Sequence, residues 1–111
     1  MLDLASTSLA DDEPALLNNP QVGGVILFAR NVESREQVEA LVAQIRAVAP
    51  HLLIAVDQEG GRVRRFREGF SPLPAMQQLG DLYLADREAG LALSRDTGWL
   101  MAAEVIACGL D

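Results

Sequence analysis

Residues 23–57 read GGVILFARNVESREQVEALVAQIRAVAPHLLIAVD, and the change of apolar period along this stretch decides the fold class. A short apolar run, VILFA, is entered through Gly23 and Gly24, which suits a strand buried on both faces. From Ser34 the period becomes helical. Val38, Leu41, Val42, Ile45, Val48 and Ala49 form one stripe, Ser34 and Gln37 have capping-box spacing, and Pro50 stops the helix. Leu52 to Val56 is a second buried run. Two strands joined by an amphipathic helix read as a βαβ unit, and hence as a parallel sheet with helices packed over it.

On the N-terminal side, Met1 to Leu4 reads as a further strand, followed by a short helix around residues 11–18 and a turn at Asn19-Pro20. On the other side, residues 58–74 carry Gly60, Gly61, Gly69, Pro72 and Pro74 and little periodic pattern. They read as one long loop, and a loop of that length is more often functional than idle. Residues 75–84 and 86–107 read as helices, the second weakened by Gly90 and Gly98 and capped by Gly109. Leu110-Asp111 looks like the entry to another strand. Three parallel strands with helices on one side leave apolar surface and a sheet edge uncovered, so the chain is expected to be part of a domain.

Half of the 111 residues are apolar and 23% are charged, as in an ordinary globular protein. A net charge of −7 argues against binding nucleic acid or an anionic membrane, because both would repel the chain at long range. The N-terminus lacks the basic and long apolar segments of a secretory signal. No apolar run approaches the roughly 20 residues that span a bilayer. With Cys108 as the only cysteine, the expected setting is soluble and cytoplasmic.

Against that acidic background, residues 57–67 read DQEGGRVRRFR, with four arginines among residues 62–67. Asp57 stands where a parallel strand ends, the edge at which ligands gather in α/β folds. A carboxylate there can accept hydrogen bonds from hydroxyls, Gly60-Gly61 lets backbone approach a ligand, and the arginines offer fork-shaped donors. Asp57 could equally cap a helix or pair structurally with Arg62 or Arg65. Arg64 and Arg67 read as solvated. No phosphate-loop lysine follows the glycines, and no His/Cys spacing suggests a metal. Glu59 is two residues from Asp57, and if the extended backbone continues their side chains leave on opposite faces, so they make a poor acid/base pair. His51 precedes the strand that Asp57 ends, so it reads as a surface or turn residue.

VGGVILFARN, AVDQEGGRVRRFREGF with Leu73-Pro74, and GWLMAAEVIACGLD together resemble the N-terminal part of bacterial β-N-acetylglucosaminidases of glycoside hydrolase family 3, most closely the cytoplasmic branch of peptidoglycan recycling. The resemblance covers essentially the whole chain in order. It implies an α/β fold that is the N-terminal portion of a TIM-type (β/α)8 barrel with parallel strands, residues 1–111 being an incomplete domain. Such a barrel needs about 250 residues, so the rest of the barrel is an expected partner. It implies that Asp57 and Arg65 bind the terminal N-acetylglucosamine of a muropeptide-derived substrate, with no cofactor or metal. The family's nucleophilic aspartate, its acid/base histidine and its K-H-F-P-G-H-G-type segment have no counterpart here, so no catalytic residue is assigned and the chain is expected to be inactive alone. The alternative is a small non-enzymatic module that binds anions or carbohydrate through the arginine loop.

Overall fold

A computed structural model describes residues 1–111. Helix α2 (Arg35–Val48) begins where Ser34 turns extended and its Oγ accepts from Gln37 N at 3.2 Å. Only half of the expected capping box forms. The Gln37 side chain accepts from Glu33 N instead and donates to the carbonyls of Thr7 and Asn31, tying the helix start to the N-terminal segment. Val38, Leu41, Val42 and Ile45 are buried, as the apolar stripe requires. The helix ends at Ala49, ahead of Pro50.

Strands β1 (Gly24–Leu27) and β2 (Leu53–Val56) flank α2 in sequence and pair in parallel, with Leu27 opposite Val56. The βαβ reading is met. Met1 to Leu4 forms a single parallel bridge, Leu2 to Val25, rather than a full strand. On the far edge, a single backbone bond from Asp111 N to Ile54 O at 3.0 Å forms where the entry to a further strand was expected. Asp111 Oδ2 also accepts from Ile54 N and pairs with Arg46, whose guanidinium donates to Leu52 O and Gly109 O. The Arg46 hydrogen bond, followed by that from Ile54 N–H, holds the Asp111 carboxyl below its ordinary value of 3.8.

Parallel partners project side chains to the same face, and alternate residues to opposite faces. Val25, Leu27 and Ile54 are buried against α2, together with Leu4, Leu17, Leu52, Phe66 and Leu110. The other face is open: Leu53 is 57% exposed and Ile26 and Ala55 are only partly covered. The expectation of strands buried on both faces is therefore corrected, because only one helical layer covers the sheet. Burial also pushes the Cys108 thiol pKa up, leaving it a small apolar core group.

Helices α1 (Glu13–Leu17), α3 (Met76–Ala85) and α4 (Arg87–Ala107) fall close to the expected segments. Asp86 caps α4 by accepting from Ala89 N, and Gly109 follows its end in the left-handed region. The molecule extends 52 Å along its longest axis, and the radius of gyration of 16.0 Å exceeds the roughly 13 Å of a compact 100-residue domain. Trp99 and Leu84 are left 71% and 84% exposed. No helix is long and apolar enough to cross a membrane.

Candidate functional site

The pairing of Leu27 with Val56 puts the next residues, Phe28 and Asp57, side by side at the carboxyl ends of β1 and β2. The chain after Phe28 makes a single 3-10 turn (Ala29–Asn31) in place of further strand. Asn31, fully buried, holds that turn: Oδ1 accepts from Phe28 N at 2.9 Å, and Nδ2 donates to Leu4 O and Ser6 O. Its polar groups are satisfied, so its burial fixes the backbone from which Phe28 projects. Arg30 donates to Leu4 O, pairs with Asp3, and lays its guanidinium 4.9 Å from the Phe28 ring centre.

After Asp57 the chain is not the featureless loop expected. It forms an antiparallel hairpin of β3 (Gln58–Gly60) and β4 (Val63–Arg64), with an irregular register between Gln58 and Gly60. The hairpin escapes a periodicity reading because its strands are three and two residues long. Gly60 and Gly61 take φ values of +81° and +54° at its tip. That conformation lets the tip lie directly on residues 73–75, where Gly61 N donates to Leu73 O at 3.2 Å. A Cβ on Gly60 would stand 2.0 Å from Pro74 O. The glycines therefore serve an internal close approach to the chain itself. Further along, Ser71 N and Oγ both donate to the Glu104 carboxylate, fastening the segment to α4.

Arg65 follows β4 and turns back over the strand ends. Its guanidinium forms an ion pair with Asp57 at 3.5 Å and lies 5.7 Å from the Phe28 ring centre, within cation–π range. Both partners keep solvent access, with side chains 28% and 41% exposed. Of the alternatives open from the sequence, the helix-cap role falls away and the Arg65 pairing is the one that forms. Arg62 stays exposed. Arg67 is exposed too and donates to Arg64 O. Arg64 corrects the expectation of a solvated residue: it is half-buried, and its Nε is shielded from water. His51 lies in an exposed turn before β2, at the opposite end of the strand from Asp57.

A carboxylate and a guanidinium held together at the strand ends can exchange hydrogen bonds with a hydroxyl-bearing ligand. No group of three His, Cys, Asp or Glu side chains is arranged to hold a metal ion. Phe28, Asn31 and Gln58 carry the geometry, yet the sequence reading gave them no role. Phe28 sat inside an apolar run, and nothing local marks a glutamine or asparagine as buried. Two apolar grooves lie elsewhere. One of about 450 Å³ separates α3 from α4, and one of about 290 Å³ lies between β2 and α4. Neither includes Asp57 or Arg65.

Residues 1–111 match the glycosyl hydrolase family 3 N-terminal domain. Beta-hexosaminidases of Chromobacterium violaceum and Alkalilimnicola ehrlichii are 54% and 56% identical over 112 residues, covering 100% of this chain but 31% and 32% of theirs. The crystal structure of NagZ from Neisseria gonorrhoeae in complex with N-trifluoroacetyl-D-glucosamine superposes with a TM-score of 0.95 at 45% identity, over 99% of this chain and 33% of that one. The chain thus spans about a third of the length of the curated relatives it matches. Its α/β architecture with parallel strands is that of the N-terminal region of a TIM-type barrel.

Proposed function

The chain belongs to glycosyl hydrolase family 3, whose N-terminal domain it matches from end to end, and on that premise we propose that it carries part of the sugar subsite of a β-N-acetylhexosaminidase. In a protein of its relatives' length, residues 1–111 would supply the N-terminal part of a catalytic barrel that removes terminal non-reducing N-acetylglucosamine from β-linked glycosides. The substrates we assign are muropeptide-derived disaccharides of cytoplasmic peptidoglycan recycling. The observation that carries the reading is the Asp57–Arg65 pair at 3.5 Å, open to solvent at the carboxyl edge of the parallel strands. Asp57 would accept from hydroxyls of the terminal sugar, and Arg65 would donate to them.

The chemistry is the retaining kind. An aspartate attacks the anomeric carbon and displaces the leaving group, which takes a proton from the acid/base. Water, deprotonated by the same group, then releases the sugar from the glycosyl-enzyme. Segments outside residues 1–111 would supply both groups, and the chain's own contribution is to position the sugar ring. A module that seizes anions with its arginine loop fits less well. Only Arg65 reaches the strand ends, where it meets a carboxylate, while Arg62 and Arg67 are exposed.

The test is N-acetylglucosamine binding to the chain, followed by NMR titration. Losing one charge-assisted hydrogen bond is worth about 1.5–3 kcal/mol, so Asp57→Asn and Arg65→Ala should each weaken binding at least tenfold. Unchanged affinity in both variants would reject the sugar-binding role. Turnover of a chromogenic N-acetylglucosaminide by the chain, lost in Asp57→Ala, would overturn the assignment of catalysis to other segments.

A further inference from the structure

The hairpin that delivers Arg65 is too small to hold itself. Its ladder offers three residues against two with a slipped register, and even a regular two-stranded hairpin is marginal in water. One side chain supplies what the ladder lacks. Gln58 is 7% exposed. Its Oε1 accepts from Arg65 N at 2.9 Å and from Phe66 N at 3.2 Å, while its Nε2 donates to Phe66 O at 3.0 Å. A single amide thus fixes the backbone of Arg65 and of the residue after it. Phe66 is fully buried and packs 4.7 Å from Phe70, so the far side of the joint is anchored in the core.

We propose that Gln58 is a positioning residue for Arg65, setting the guanidinium against Asp57 and Phe28 before any ligand arrives. The amide is specific to the task, because two N–H groups face its oxygen and one carbonyl faces its nitrogen. A carboxylate would keep the first two bonds and repel the carbonyl, and an apolar isostere would lose all three. The consequence for sugar affinity rests on the binding role proposed above; the placement of Arg65 does not. Ordering one rotamer-rich side chain in advance is worth roughly 3- to 10-fold in affinity.

The experiment uses the chain with 15N-labelled arginine. The Arg65 Nε–Hε signal is identified by its loss in Arg65→Ala. Arg65 Nε is shielded from solvent, so in the wild type this proton should exchange slowly and its nitrogen should be rigid. Gln58→Met should speed exchange more than tenfold with the core methyl spectrum unchanged, and Gln58→Glu should fall between. An unaltered Arg65 signal in a folded Gln58→Met chain overturns the proposal. Should Gln58→Met fail to fold, Gln58→Glu decides by the same criterion. N-acetylglucosamine affinity should fall 3- to 10-fold in Gln58→Met and not at all when Gln58→Met is added to Arg65→Ala; an equal fall in both backgrounds overturns the proposal. If N-acetylglucosamine binds neither wild type nor Arg65→Ala, the sugar reading fails, and the Arg65 signal alone decides the placement.

Discussion

Gly60→Ala isolates what holds the site hairpin down. At φ +81° an L-residue loses about 1–2 kcal/mol of backbone preference. The added Cβ would stand 2.0 Å from Pro74 O, so the tip must lift by about 1.5 Å to reach an ordinary contact distance. That lift breaks the Gly61 N–H bond to Leu73 O, worth about 1 kcal/mol net. The sum is about 2–3 kcal/mol, or roughly a 30- to 150-fold fall in the ratio of folded to unfolded chain. Gly69→Ala is the internal control. Its φ of +78° carries the same conformational cost, but its nearest Cβ neighbour is an ordinary 3.5 Å away at Arg35. Urea denaturation of the two variants therefore separates close approach from conformation. Hydrogen exchange at the Gly61 amide should accelerate in Gly60→Ala alone and reports local opening of the tip, which can cap the global loss. Equal destabilisation in both variants, with Gly61 exchange unchanged, would refute the claim that docking on residues 73–75 secures the hairpin.

Two further outcomes test other parts of the fold. Gly98 has no atom within 4 Å of an added Cβ, so Gly98→Ala should stabilise α4 by up to about 1 kcal/mol; at Gly90 the Cβ would meet Tyr83 Cα at 2.4 Å, so Gly90→Ala should lower the thermal midpoint by forcing α3 and α4 apart. The Asp111 carboxyl is depressed by Arg46 and Ile54 N–H, so its stabilisation is present above 3.8 and is lost as pH falls through the lower folded value. Thermal unfolding of Asp111→Asn should therefore be less stable than wild type at pH 7 and should converge with it in acid; a constant difference across pH would contradict the ion-pair account.

Periodicity made the βαβ unit legible because a helical stripe from Val38 to Ala49 and the uninterrupted apolar runs VILFA and LLIAV on either side of it are local signals. Ser34, Pro50 and Gly109 marked boundaries for the same reason, since each acts on the few backbone groups beside it. Asp57 could be recognised as a strand-end carboxylate without knowing its neighbours. The β3–β4 hairpin stayed hidden because it is closed by the Gln58 amide and by a glycine tip resting on residues 73–75 rather than by strand propensity.

What the sequence by itself determined is the order of the helices and of the two paired strands, their parallel pairing and the strand-end position of Asp57, because each follows from interactions within a few residues or from an alternation that forces one topology. Only the tertiary structure decided that Arg65 rather than Arg62 forms the ion pair with Asp57, and that the Arg65 guanidinium lies over Phe28. Residue pattern alone leaves Arg62 and Arg65 equivalent as partners until a buried amide and a buried phenylalanine fix which of them turns inward. That choice is made by contacts across the hairpin and between two strand ends some thirty residues apart.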